Sequence, residues 1–153
     1  MTRRFLTCVL FCSALAVAQT KPNFSGTWKL NITTSDFGPL PKPEKATTTI
    51  EHSEPNLQLT SDSTGARGQQ VSKYKYSTDG KEVTNVNGPV ELKSTAKWAG
   101  DVLVIESKGK FQGNDLTFLD KWSLSEDGKT AKLARHIIVT QGEFDQTYVY
   151  DKQ

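Results

Sequence analysis

Residues 23–30 read "NFSGTWKL", and this short stretch indicates which fold to expect for the rest of the chain. A tryptophan at the start of a first strand either closes the floor of a β-barrel or packs as an ordinary core aromatic. Which of the two holds for Trp28 depends on where the mature chain begins and on the strands that follow it.

The first 18 residues, "MTRRFLTCVLFCSALAVA", have the organisation of a secretory signal peptide. Arg3 and Arg4 form a positive end, and a short apolar run leads to an A-x-A pattern that ends at Ala18. The apolar run is too short to span a bilayer. We expect residues 1–18 to be removed and residues 19–153 to form one exported domain, periplasmic or secreted; a retained membrane anchor is the alternative.

Removal of the signal changes both the cysteine content and the charge. Cys8 and Cys12 leave with it, so the mature chain has no disulfide and no thiol ligand. Loss of Arg3 and Arg4 takes the 19 basic residues to 17, equal to the 17 acidic ones. A neutral surface gives no electrostatic reason for a nucleic-acid or anionic-lipid partner. We expect a monomer without stable membrane insertion.

Turn signals recur about every ten residues, a spacing typical of all-β sandwiches and barrels. Asp-Gly and Gly-Asn pairs among them supply the positive φ angles of tight hairpins. No apolar pattern at helical spacing persists for three turns. The turn signals are Glu54-Pro55-Asn56, Asp79-Gly80, Asn87-Gly88-Pro89, Ala99-Gly100-Asp101, Gly113-Asn114, Asp127-Gly128 and Gln141-Gly142.

Between the turns, apolar and polar residues alternate. In "VELKSTAKW", from Val90 to Trp98, every second residue faces one side and the lysines and Glu91 face the other. An antiparallel sheet with one buried face has this pattern. We predict an all-β, antiparallel up-and-down barrel of about eight to ten strands. A barrel is favoured over an open sandwich because closure removes the sheet edges.

One long connection, "TTSDFGPLPKPEKA" at residues 33–46, interrupts the meander. Pro39, Pro41 and Pro43 alternate within it, which excludes a regular helix and favours an extended segment. The segment is either a lid across one barrel mouth or a stiff crossover from the first strand to the second.

The stretch "FSGTWKL" resembles the opening of the calycin superfamily, which comprises the lipocalins and the fatty-acid-binding proteins. The resemblance implies that Gly26-x-Trp28 closes the barrel floor and that an arginine of a late strand packs across the tryptophan ring. Arg135, inward by parity on the second-last strand, matches that arginine. With "LSEDGKT" before this late arginine, the mature chain is most similar to bacterial secreted lipocalin-like domain proteins.

The chain departs from the fatty-acid-binding branch in two places. That branch holds a ligand carboxylate with Arg-x-Tyr on its last strand, where this chain has Tyr148 and Tyr150. It also caps its barrel with two short helices, which the proline-rich connection cannot form. Neutral or weakly polar ligands are therefore expected over free fatty acids.

The inward faces carry apolar walls with a few polar groups, the mixture that a ligand cavity requires. We predict an extracytoplasmic binding or carrier protein for a small apolar or amphipathic molecule. The alternative is a filled barrel that acts as a protein-interaction or structural module. Asp120 either pairs with Arg135 as a structural ion pair or serves a ligand. The predicted cavity residues are Ile50, Leu92, Ser94, Leu103, Ile105, Phe118, Ile137, Gln146 and Tyr148.

An enzyme is not expected, and neither is a cofactor or a metal. A relay of a serine with His52 and Asp120 lacks a nucleophile elbow and a glycine-rich oxyanion loop. Two histidines, His52 and His136, without a glutamate at ligand spacing make a poor zinc site. Haem ligation by His136 is disfavoured because its parity is opposite to that of Arg135.

Overall fold

The structure is a computed structural model that describes residues 20–153. These residues form ten β-strands and contain no helix, hence none that could cross a membrane. The predicted signal peptide and its cleavage site lie outside the described residues. The strands are β1 (Gly26–Leu30), β2 (Lys45–Ser53), β3 (Asn56–Gly65), β4 (Gly68–Ser77), β5 (Val83–Asn87), β6 (Val90–Ala99), β7 (Val102–Phe111), β8 (Asn114–Leu124), β9 (Thr130–Val139) and β10 (Gly142–Lys152).

All ten strands belong to one antiparallel sheet with the order β4-β3-β2-β1-β10-β9-β8-β7-β6-β5. Each strand pairs with its neighbour in sequence except across β4 and β5, and β1 also pairs with β10. The chain therefore winds up and down into a nearly closed barrel. This confirms the prediction of an all-β, up-and-down barrel.

Each predicted turn falls at a junction between strands. One further turn, between β3 and β4, is not among the predicted ones; there Ala66 and Arg67 are flanked by Gly65 and Gly68. The connection from β1 to β2 consists of turns and bends without a helix, in agreement with its three prolines.

Two asparagine side chains close the seam between β4 and β5. Asn85 accepts a bond from the Lys75 amide at 2.7 Å and donates to the Lys75 carbonyl at 2.9 Å. Asn87 makes the same pair of bonds with the backbone of Lys73, at 2.9 and 3.0 Å. The two carboxamides thus replace backbone ladder bonds, because each offers one donor and one acceptor as a peptide group does.

The closed end of the barrel is built around Trp28, which is fully buried. Its indole Nε1 donates to the Phe24 carbonyl at 2.8 Å, so the segment before β1 folds under the barrel. Gly26 has a φ of 135°, and a Cβ at this position would lie 3.0 Å from Lys152 Cε. The glycine therefore leaves room for the Lys152 side chain to cross the first strand.

The predicted stacking of Arg135 on Trp28 is wrong. The cation over the Trp28 ring is Lys152, with Nζ 5.2 Å from the ring centroid, because β1 and β10 pair Trp28 directly with Lys152. The first residue of β9, Thr130, pairs with Asp151, the neighbour of Lys152. Arg135 lies five residues farther along β9 and is therefore too far from the closed end to contact Trp28. Its guanidinium lies over Phe118 instead, 4.8 Å from that ring centroid.

Candidate functional site

A cavity of about 450 Å³ occupies the end of the barrel opposite Trp28, which we call the mouth. The β1–β2 connection covers it, and the β3–β4 turn forms part of its rim. Its walls come from β1 to β4 on one side and from β8 to β10 on the other. Among the described residues, none on β5, β6 or β7 lines it, so the cavity is off-centre.

The β1–β2 connection, residues 31–44, is anchored to β10. Asp36 and Thr147 exchange two backbone hydrogen bonds of 2.8 Å. Phe37 inserts its side chain beneath this bridge, is 8% exposed and contacts the Tyr148 ring edge to face at 5.6 Å. Pro41 and Pro43 then cross the mouth and line the cavity. We call this segment the lid.

A short chain of hydrogen bonds links the lid to the cavity wall. The Tyr148 hydroxyl donates to Gln146 Oε1 at 2.8 Å, and Gln146 Nε2 donates to the Phe37 carbonyl at 2.8 Å. Both Gln146 and Tyr148 line the cavity. The side-chain amide of Gln146 is thus held between the wall and the lid.

Small inward side chains on β2, β3 and β4 leave the space that forms the cavity. Strand alternation turns these residues inward, and their short side chains cannot reach the barrel axis. Two tyrosines of β4, Tyr74 and Tyr76, stack on each other at 6.3 Å and form the aromatic part of this wall. The small residues are Ala46, Thr48, Ser61, Ser63 and Ser72.

The opposite wall carries a bidentate ion pair. Arg135 donates from Nε to Asp120 Oδ1 and from Nη2 to Asp120 Oδ2, both at 2.7 Å. The register places the two residues directly opposite each other on β8 and β9. The side chain of Asp120 is 4% exposed and that of Arg135 is 27% exposed, and both line the cavity. Burial lowers the pKa of Arg135, but the adjacent carboxylate raises it more, so the guanidinium stays charged.

Phenol groups surround the ion pair. Burial raises the pKa of Tyr150 to about 12. It also raises the pKa of Tyr148, and that of Tyr76, on which the Asp120 charge acts in the same direction. All three tyrosines line the cavity and remain protonated at neutral pH. The polar wall therefore combines neutral hydroxyls with one charge pair that sums to zero.

The structure corrects the predicted cavity wall. Gln146 and Tyr148 line the cavity, and the other seven predicted residues do not. Six of these seven are buried and fill the barrel interior elsewhere, and Phe118, which is half-buried, lies under the Arg135 guanidinium. The six are Ile50, Leu92, Ser94, Leu103, Ile105 and Ile137. Ser94 satisfies its hydroxyl with Ser107 at 2.7 Å rather than with a ligand.

Several cavity residues are absent from the predicted wall although the sequence contains signals for them. Tyr150 follows Tyr148 at the same parity, and Trp122 stacks on it at 5.7 Å. In the run "KATTTIEHS" the first two inward residues, Ala46 and Thr48, are small, which indicates free space at that end of β2. The glycines around Ala66 and Arg67 indicate the turn at the rim.

His52 and Asp120 do not form a relay. His52 accepts a bond from the Phe24 amide at Nδ1 (3.2 Å) and contacts Glu54 Oε1 through Nε2 (3.0 Å) at the closed end, whereas Asp120 is bonded to Arg135. Across residues 20–153, no group of three His, Cys, Asp or Glu side chains is arranged to hold a metal ion.

No family model matches the chain, and neither does any curated protein sequence. The closer similarity to bacterial secreted lipocalin-like proteins stays a prediction.

Solved structures share the fold at low sequence identity. The zebrafish ileal bile acid-binding protein, complexed with cholic acid, is 16% identical with a TM-score of 0.60 over 85% of this chain and 98% of its own. Secretory abundant heat soluble protein 4 from Ramazzottius varieornatus is 15% identical with a TM-score of 0.59 over 89% and 99%. A fatty acid binding protein from Schistosoma mansoni, complexed with arachidonic acid, is 13% identical with a TM-score of 0.51 over 85% and 96%. The chain therefore has the calycin-like β-barrel fold of the fatty-acid-binding and secretory abundant heat soluble proteins.

Proposed function

We propose that the protein is an extracytoplasmic binding or carrier protein that holds a small amphipathic molecule in the mouth cavity. The observation that carries this proposal is a lidded cavity of about 450 Å³ with aromatic walls and a buried polar patch. Small-molecule sites have about this size and this mixture of walls. That two proteins of the same fold were solved with cholic acid and arachidonic acid supports it.

The proposal favours binding over two other functions. A filled barrel would leave no space at the mouth, and here the small side chains of β2 to β4 keep it open. A hydrolase with a serine–histidine relay would require a nucleophile beside His52, and His52 contacts Phe24 and Glu54 instead. We therefore propose a protein without catalytic activity.

Uptake of the neutral apolar dye N-phenyl-1-naphthylamine by the purified protein tests the cavity. We expect saturable fluorescence that Ser72→Trp weakens, because Ser72 lines the cavity and the indole would fill it. Val71→Trp is the matched control, since Val71 is the next residue on β4 and is 56% exposed. Loss of uptake in both variants, or no saturable signal in the wild type, would contradict the proposal.

The extracytoplasmic location is proposed from residues 1–18. N-terminal sequencing of the protein recovered from the export compartment should begin at Gln19. Recovery of a chain that starts at Met1 would contradict this part of the proposal.

A further inference from the structure

Arg135 by itself would favour an acidic ligand. A guanidinium on the wall of an apolar cavity is a strong partner for a carboxylate, because it offers charge and parallel N–H donors. The residue lies half-way along β9 and lines the cavity together with Tyr148 and Tyr150. A fatty acid with its head inside the barrel would find this cation in its path.

Asp120 already occupies the guanidinium face that a carboxylate would use. Its two oxygens accept the Nε and Nη2 hydrogens in the side-on, two-bond geometry. Asp120 bonds to Nε and Nη2, so Nη1 is the guanidinium nitrogen that is not bonded to this carboxylate. An acidic head placed at Nη1 would lie within a few ångströms of Asp120 as well, so attraction and repulsion would oppose each other.

The remaining polar groups at this depth are uncharged. Tyr76, Tyr148 and Tyr150 are protonated phenols, and Gln146 and Thr48 are neutral. The other cations that line the cavity, Lys42 and Arg67, are at the rim and exposed to solvent. Water and salt screen charges in that position. They can attract an anionic head to the mouth without drawing it inside.

We propose that Asp120 is the residue that determines ligand class: it cancels the Arg135 charge and reserves the buried polar patch for uncharged heads such as hydroxyl, carbonyl or amide groups. This inference rests on the proposed binding function. The carboxylate of a bound acid would give the patch a net negative charge, and burying an uncompensated charge away from water costs free energy. Hydroxyl and amide heads can donate and accept among the phenols at no such cost.

Displacement of N-phenyl-1-naphthylamine by 1-decanol and by decanoate at pH 8 tests the inference. Any apolar cavity prefers the alcohol, so the decisive quantity is how the ratio of the two dissociation constants changes in Asp120→Asn. We expect decanoate to bind at least about tenfold more tightly to this variant, about 1.4 kcal/mol, with 1-decanol nearly unchanged. The double variant Asp120→Asn with Arg135→Gln restores a neutral patch and should restore the wild-type ratio.

A measurement on the wild type does not depend on how the variants fold. The carboxyl carbon of bound [1-¹³C]decanoate should titrate in its ordinary range, because the head stays in solvent at the mouth. A carboxylate that stays ionised well below that range would be bound to Arg135 and would overturn the inference, as would an unchanged ratio in folded Asp120→Asn. If neither the dye nor either decyl compound binds, the proposed function itself fails.

Discussion

Lys152 lies across the ring of Trp28, with its ammonium 5.2 Å from the ring centroid, and so the last strand closes the floor that the first strand begins. We expect Trp28→Ala to lower the free energy of unfolding by about 3–5 kcal/mol, as for other large core aromatics. Lys152→Met keeps the aliphatic stem and removes only the cation, so it should lose about 0.5–1 kcal/mol. Urea unfolding of both variants measures these changes; an equal loss in the two would contradict the assignment.

The asparagine seam gives a second prediction. Asn85→Ala removes the buried carboxamide that pairs with the Lys75 amide and carbonyl, so we expect a loss of about 2 kcal/mol. Asn87→Ala, at the more exposed end of the seam, should lose about 1 kcal/mol. Hydrogen exchange checks the local effect, since the Lys75 amide should lose its protection in Asn85→Ala while the Leu59 amide on β3 keeps it. Unchanged exchange at Lys75 would show that the seam is closed by other means.

Gly38 predicts how the lid responds to a single methyl group. Its φ is 57°, and a Cβ would lie 2.7 Å from the Asp145 carbonyl oxygen, so Gly38→Ala should push the lid away from β10. Gly88 has the same φ of 57° with nothing within 4 Å, which makes Gly88→Ala the matched control for backbone strain alone. Both variants should lose about 1 kcal/mol or more of stability. Only Gly38→Ala should release N-phenyl-1-naphthylamine faster in stopped-flow measurements; equal rates in the two variants would exclude a gating role.

Glu54, at the closed end of the barrel, should make the free energy of unfolding depend on pH. Partial burial raises its pKa, but the hydrogen bonds that Thr78, Trp98 and His52 donate outweigh this and lower it below 4.5. A carboxyl with a depressed pKa stabilises the fold above its unfolded value, and the contribution is lost as the pH falls through its folded value.

Glu54→Gln should therefore be less stable than the wild type at pH 7, by about 1 kcal/mol or less because the side chain is 45% exposed. The difference should vanish in strong acid, and thermal unfolding between pH 7 and pH 2.5 follows it. Glu51→Gln, at an exposed position of the preceding strand β2, is the control and should show no such trend. A pH-independent difference for Glu54→Gln would contradict the hydrogen-bond assignment.

Local signals were sufficient for the fold. Alternation with a period of two and turn pairs such as Asp127-Gly128 indicate where most of the strands start and end, because both act within a few residues. Parity also assigned Asp120, Arg135 and Gln146 to the interior, and they are found there.

The alternation pattern predicts which face of the sheet a residue is on, but not its position along the barrel axis. Alternation along β9 turns Arg135 inward, which a contact with Trp28 would require. The β1–β10 register nevertheless places Lys152, and not Arg135, beside Trp28. The prediction of the cavity wall was wrong for a related reason. By alternation, Leu92 and Ser61 both face the barrel interior. Whether the space beside each is filled depends on the sizes of all the side chains that face it, and here the Leu92 side is filled and the Ser61 side is empty.

The amide of Gln146, held by Tyr148 on one side and by the Phe37 carbonyl on the other, makes lid attachment and cavity occupancy linked equilibria. A ligand that accepts the Tyr148 hydroxyl proton takes it from Gln146 and frees one end of the amide that holds the lid. By reciprocity, a lid that has lost its bond to Gln146 changes the affinity for such a ligand by the same factor. An apolar ligand that leaves the Tyr148 hydroxyl alone has no such coupling. Under the proposed binding function, the lid would therefore hold polar and apolar ligands to different degrees without a second binding site.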